Sequence, residues 1–216
     1  MIYAPLQETD VTAEALVVIL HGVGGRGAHL AALADMIGTG LPGLAFALPD
    51  APARYDWDDT GRQWFSVAEI TAENRPERLV AARAGFDRVL DRAITEQGFA
   101  GRLNRVALVG FSQGAIMALD AVMGGRWPVA GLACLSGRCV LPGPVLAPAT
   151  PVMLSHGLED PVIPAADAVR AADHLAGLGK PVDLHLWTGL GHWFDARVAE
   201  VTAGFLRRTL TPAPQS

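Results

Sequence analysis

Cysteine is scarce, clusters of lysine and arginine are absent, and no apolar stretch is long. The 216 residues hold two cysteines, Cys134 and Cys139, too few for the disulfide framework of a small secreted fold. Their closeness would permit one bridge. In a reducing compartment the pair reads instead as two buried small apolar residues, and no second Cys or His pair stands at metal-ligand spacing. The formal net charge of −5 and the lack of any basic cluster beyond the Arg207–Arg208 pair argue against a nucleic-acid partner. The longest clean apolar run, ALVVIL at 15–20, falls far short of the about 20 residues that span a bilayer, so stable membrane insertion is not expected. The opening MIYAPLQETD has neither the basic region nor the apolar core of a secretory signal, which leaves the cytoplasm as the expected compartment.

Half of the residues are hydrophobic, enough for a sizeable core, and the length suits one domain over residues 1–216. Short apolar runs at 15–20, 44–48, 105–110, 129–136, 151–157 and 182–187 read as strands. Most lack a period of two, as strands covered on both faces do. Between them, 76–98, 113–124, 164–179 and 193–210 read as helices. This alternation predicts an α/β fold: a mainly parallel, twisted sheet with helices on both faces. The Pro-rich stretch 141–151 reads as a connecting loop. The long non-helical stretch 49–73 carries Tyr55, Trp57, Trp64 and Phe65, which either cover the sheet edge or serve the site.

Two readings compete for LHGVGGRGAHL at 20–30. Gly22, Gly24 and Gly27 spell G-x-G-x-x-G between a strand and a helix, the setting of a dinucleotide loop, and Asp50 stands where a ribose-binding acid belongs. The same letters contain His-Gly-x-Gly-Gly, a loop type that holds a transient oxyanion during acyl transfer. The rest of the chain separates the two. Gly110-Phe111-Ser112-Gln113-Gly114 is a G-x-S-x-G between a strand and a helix, the context a nucleophile elbow requires. A serine hydroxyl needs a base. His192, after the last strand, is the first candidate, and His156, at a strand end, is the rival. The imidazole in turn needs an acid. Asp160 follows the penultimate strand, with Glu159 beside it and Asp183 and Asp195 as further alternatives. The order Ser112, Asp160, His192 is that of α/β hydrolases. A nucleotide-dependent oxidoreductase would leave the elbow, Asp160 and His192 without a role. A hydrolase-like binding protein without catalysis would typically lack one of the three, and none is missing.

The segments HGVGG, LPDAP, RQWFSV, GFSQGA, GLEDPVIP and GLGHWF together resemble the carboxylesterase/lysophospholipase family that includes acyl-protein thioesterases, over about residues 16–210. The resemblance implies an α/β-hydrolase fold without a separate cap domain, and Ser112 as nucleophile, His192 as base and Asp160 as its orienting acid. It also implies an oxyanion hole from the backbone N–H groups of Val23 and Gln113. The expected reaction is hydrolysis of short- to medium-chain carboxylic esters through an acyl-serine, with acyl-protein thioesterase or lysophospholipase activity as the alternative. No metal or organic cofactor is expected. The partner is a small-molecule ester, and the chain is expected as a monomer or homodimer. Trp64, Phe65, Phe111, Leu158, Val162 and Trp193 fall in segments expected around the nucleophile and are candidate acyl-pocket walls. Departures from the family pattern at Gly25-Arg26-Gly27 and at 54–63 bear on substrate preference.

Overall fold

A computed structural model describes residues 13–140, 149–180 and 182–210. The Pro-rich stretch expected as a loop lies, through residue 148, outside the described residues, as does the opening decapeptide. Six strands form one sheet: β1 (Ala15–Leu20), β2 (Leu44–Ala47), β5 (Val106–Phe111), β6 (Gly131–Leu135), β7 (Val152–Gly157) and β8 (Val182–Trp187). Their order is β2-β1-β5-β6-β7-β8, and every pairing between them is parallel. A hairpin too short for any periodicity pairs β3 (Ala53–Arg54) with β4 (Arg62–Gln63) inside the long stretch after β2.

Alternation along the strands explains their uniformly apolar composition. Leu16, Val18 and Leu20 of β1 point into one core, while Ala15, Val17 and Ile19 point into the other. The first core is roofed by α2 (Arg75–Glu96), α3 (Gln113–Met123) and α4 (Ala166–Gly177). The second is roofed by α1 (Ala31–Gly38) and α5 (Ala196–Leu210). A strand with a helix layer on each face has no position at which a polar side chain reaches water, so the period-two signal vanishes. On β8, at the sheet edge, Asp183 is exposed instead. Polar pairing fixes α3 against α2: Arg83 donates two hydrogen bonds, 2.6 and 2.9 Å, to the Asp120 carboxylate, and Arg126 bridges Asp120 and Asp87.

Expected element ends shift by a few residues. The last helix begins at Ala196 rather than at residue 193. Asp195 accepts hydrogen bonds from the N–H groups of Arg197 and Val198, an N-terminal cap that leaves Trp193 in the preceding loop. Among the described residues no helix is long and apolar enough to cross a membrane.

The chain order creates one topological switch point. From β1 the chain goes outward to β2, then returns across β1 to β5, so β1 and β5 are neighbours whose following segments leave on opposite faces. A crevice opens at the carboxyl ends of such strands. The His21–Gly27 loop follows β1 and Ser112 follows β5.

Candidate active site

Ser112 stands between the end of β5 and the start of α3 with φ 52° and ψ −116°, a left-handed conformation that costs a non-glycine residue on the order of 1–3 kcal/mol. Its N–H is held by Leu135 O at 2.9 Å. The turn is possible only because its flanks carry no side chain. A Cβ on Gly114 would lie 2.3 Å from Leu20 O, and one on Gly110 would lie 2.5 Å from Ala115 Cα. The hydroxyl is thereby set at a helix N-terminus, where the Gln113 N–H has no acceptor within the helix.

His192 lies in the loop between β8 and α5. Its Nε2 is 2.8 Å from Ser112 Oγ and its Nδ1 is 2.6 Å from Asp160 Oδ2. β8 is three strands from β5, about 14 Å at ordinary strand spacing, so this loop runs back over the sheet end. It is tied to the loop after β7: the Glu159 N–H donates to Leu190 O at 3.1 Å and the Leu158 N–H to Trp187 O at 2.9 Å. Phe111 packs beneath the imidazole, ring centres 5.2 Å apart, and also against Trp193 and Phe194. Asp160 Oδ1 accepts the N–H groups of Val162 and Ile163 at 2.8 and 2.9 Å. Burial alone would push the Asp160 carboxyl up; the bonds from His192 and from those two amides outweigh it and hold the pKa below the ordinary carboxylate value. Asp160 is therefore a carboxylate at neutral pH. The arrangement can move a proton from the serine to the imidazole and stabilise the resulting cation.

Opposite the imidazole lies the glycine loop. A Cβ on Gly22 would touch Ser112 Cβ at 3.2 Å, which places the loop against the serine. The amides following Val23 are already bonded, Gly24 N–H to Arg62 O at 2.8 Å and Gly25 N–H to Gly22 O at 3.1 Å. His21 is buried and sits between a donor and an acceptor. The Ala51 N–H donates to its Nε2 at 2.9 Å, and its Nδ1 donates to Gly22 O at 2.7 Å. This geometry requires the neutral imidazole, and burial lowers its pKa accordingly. Asp50, which follows β2, clamps the far end of the loop. It accepts Arg26 Nε and Nη2 at 3.1 and 2.5 Å and the Gly27 N–H at 2.9 Å. Both Asp50 oxygens are thus taken up by the loop itself, rather than left open to a ribose. Gly27 itself leaves no room for a side chain, since a Cβ there would lie 1.9 Å from Leu48 O.

The candidate wall residues divide. Trp64 and Phe65 are buried in the core behind the loop, and their backbone holds the turn that carries Ser112. The Trp64 N–H donates to Gln113 Oε1 at 2.8 Å, and Gln113 Nε2 donates to Phe65 O at 2.7 Å. The Trp64 indole N–H donates to His21 O and its ring packs on Phe86, so it has no face to offer an acyl chain. Phe111 is buried under the imidazole, whereas Leu158, Val162 and Trp193 are 47, 60 and 53% exposed. His156, the rival base, is enclosed on the far side of Asp160 and touches that carboxylate rather than the serine. Cys134 and Cys139 are not joined by a disulfide, and burial pushes the Cys134 thiol up, which keeps it un-ionised and inert.

A family model described as phospholipase/carboxylesterase matches residues 2–210. Esterase YpfH of Escherichia coli strain K12 is 33% identical over 205 residues, spanning 95% of this chain and 87% of that protein. Acyl-protein thioesterase 1 of Gibberella zeae is 27% identical, covering 92% of each chain. Among solved structures, that of esterase PE8 superimposes with a TM-score of 0.81 at 31% identity, over 93% of this chain and 95% of the other. The sheet order, the helix layers and these likenesses are those of the α/β-hydrolase fold.

Proposed function

Since the chain belongs to the phospholipase/carboxylesterase family and is a carboxylic ester hydrolase, we propose that it works as one α/β-hydrolase domain with Ser112 as nucleophile, His192 as general base and Asp160 as the acid that orients it. The observation that carries this reading is the unbroken hydrogen-bonded chain from Ser112 Oγ through His192 to Asp160 Oδ2. His192 takes the hydroxyl proton as Ser112 Oγ bonds to the carbonyl carbon, and the carbonyl π pair moves onto oxygen. The oxyanion is received by the N–H groups of Val23 and Gln113, each such donor lowering the barrier by about 3 kcal/mol. The pair then returns to re-form the carbonyl, the bond to the leaving alcohol breaks, and the leaving oxygen takes the proton from His192. Water, deprotonated by the same imidazole, repeats the sequence on the acyl-serine and releases the acid.

The substrates are short- to medium-chain esters, their acyl groups lying along Leu158, Val162 and Trp193. An open rim separates chain lengths weakly, at roughly 1–3 kcal/mol per methylene at most. Relatives named acyl-protein thioesterase 1 favour a second reading, thioester hydrolysis by the same residues. The proposed compartment is the cytoplasm. Turnover of p-nitrophenyl esters of increasing acyl length by wild type and Ser112→Ala tests the assignment. A loss of about 10⁴-fold or more is expected in the variant, and undiminished turnover would overturn the serine's role.

A further inference from the structure

A second imidazole touches Asp160. His156 lies near the end of β7, four residues before the acid, and both side chains are fully enclosed. Its Nε2 is 3.0 Å from Asp160 Oδ2 and 2.8 Å from the Ile163 carbonyl. Both are acceptors, so Nε2 carries the hydrogen, which it donates to the Ile163 carbonyl while lying in close electrostatic contact with Asp160 Oδ2; Nδ1 has no hydrogen-bond partner among the described residues. The oxygen that His156 touches is the one that His192 Nδ1 touches at 2.6 Å. One carboxylate oxygen thus takes two imidazoles, and the other takes two backbone amides.

Space alone does not call for an imidazole here. His156 shares a small cavity with Leu119, Leu154, Ala168 and Ala171, and an apolar side chain would fill it without burying an unpaired nitrogen. The titratable neighbours in that cavity are Cys134, whose thiol burial keeps un-ionised, and Arg138, paired with Asp167 at 3.3 Å. On the other side of Asp160, the groups that His192 meets among the described residues are that carboxylate, the Ser112 hydroxyl and the Phe111 ring.

We propose that His156 is a positioning residue for ester hydrolysis, an inference that rests on the assignment of Ser112, His192 and Asp160. Anchored on the Ile163 carbonyl, its N–H dipole stands 3.0 Å from Oδ2, keeps that oxygen on the His192 side and offsets part of its negative charge. A carboxylate sharing its charge with His156 holds the protonated His192 less tightly. The proton taken from Ser112 is then released more readily to the leaving group.

His156→Gln retains an N–H donor at nearly the position of Nε2, whereas His156→Met retains volume but no donor. The experiment compares both with wild type and with Ser112→Ala, using p-nitrophenyl butyrate and counting active sites with a fluorophosphonate. His156→Met is expected to lose roughly tenfold in kcat per titrated site with KM within about twofold. The acid limb of its kcat/KM profile moves to higher pH, because an unshared carboxylate favours the protonated imidazole. His156→Gln restores both towards wild type. Equal kcat and equal acid limbs in the Met and Gln variants would overturn the inference. Should His156→Met not fold, the contrast passes to His156→Asn, whose shorter amide does not reach Oδ2, and equality of Asn and Gln overturns it in the same way. Turnover by Ser112→Ala would instead remove the assignment beneath it, so the two failures are distinct.

Discussion

On one flank of Ser112 the segment from His21 to Gly27 is fastened by hydrogen bonds along its length; on the other, Leu158, Val162 and Trp193 stand in solvent with apolar side chains. The fastened flank draws on distant parts of the chain: Ala51 and Asp50 after β2, Arg62 from the hairpin, and Trp64 and Phe65 bridged to Gln113. The open flank has fixed backbone, through the ties between the loops after β7 and β8, but side chains about half exposed, and Trp193 rests one face on Phe194. The contrast matches the two tasks. A charge that exists only during the reaction is stabilised by donors already aimed at it, and an error of about 1 Å can cost 10²-fold in rate. An acyl chain offers no directional group, so non-directional burial suffices to hold it.

The largest effect that would test this contrast falls on the fastened flank. Gln113→Ala leaves the Trp64 N–H and the Phe65 carbonyl without their buried partner while preserving the backbone N–H of residue 113. Its kcat is expected to fall on the order of 10²-fold with little change in KM, alongside a stability loss of about 1–3 kcal/mol in a denaturant titration. Wild-type kcat in this variant would mean that the side-chain clamp does not set the oxyanion geometry.

An intermediate effect should appear with pH. The folded protein holds His21 neutral with its pKa depressed, so the unfolded chain takes up the proton first as pH falls below about 6.5. Stability from this residue is complete above that value and declines below it, towards the folded pKa. The depressed carboxylates Asp50 and Asp160 act in the same direction, but only below the ordinary Asp range. Melting temperatures between pH 7 and pH 5 should therefore drop more in wild type than in His21→Gln, whose amide cannot titrate. Parallel curves would refute the account of His21.

The smallest effect belongs to the rim. Trp193→Ala should raise KM a few-fold for the longer p-nitrophenyl esters, leave the shortest nearly unaffected and keep kcat within about twofold. A fall in kcat as deep as that of Gln113→Ala would erase the distinction between the flanks.

The strands β1 and β8 are legible in the sequence to the residue, because continuous apolar runs bounded by turn residues leave little freedom. So is the elbow, where Gly110 and Gly114 stand at the only spacing that lets a helix leave β5 so abruptly. Less legible is whatever depends on side-chain partners far away in the chain. Nothing near Gln113 announces that its amide bridges Trp64 and Phe65 across half a hundred positions, and an aromatic pair in a long loop reads equally as a pocket wall. Asp50 is likewise ambiguous, since its partners Arg26 and Gly27 come from the previous loop. His156 is visible as a histidine at a strand end. Whether it faces the serine or the acid depends on how the loop after β7 turns, and that turn rests on backbone bonds to Asp160 Oδ1 that no pattern encodes.

The switch point between β1 and β5 also bears on folding. The groups around Ser112 are gathered from chain positions between His21 and His192, through parallel pairings that each require a crossover, so no contiguous stretch of polypeptide holds the site. Such non-local contacts close late and slowly. Hydrolytic competence is then a stringent reporter of the native state: a partly folded chain with most of its helices formed would still be silent, and ester turnover during refolding would trail the recovery of secondary structure.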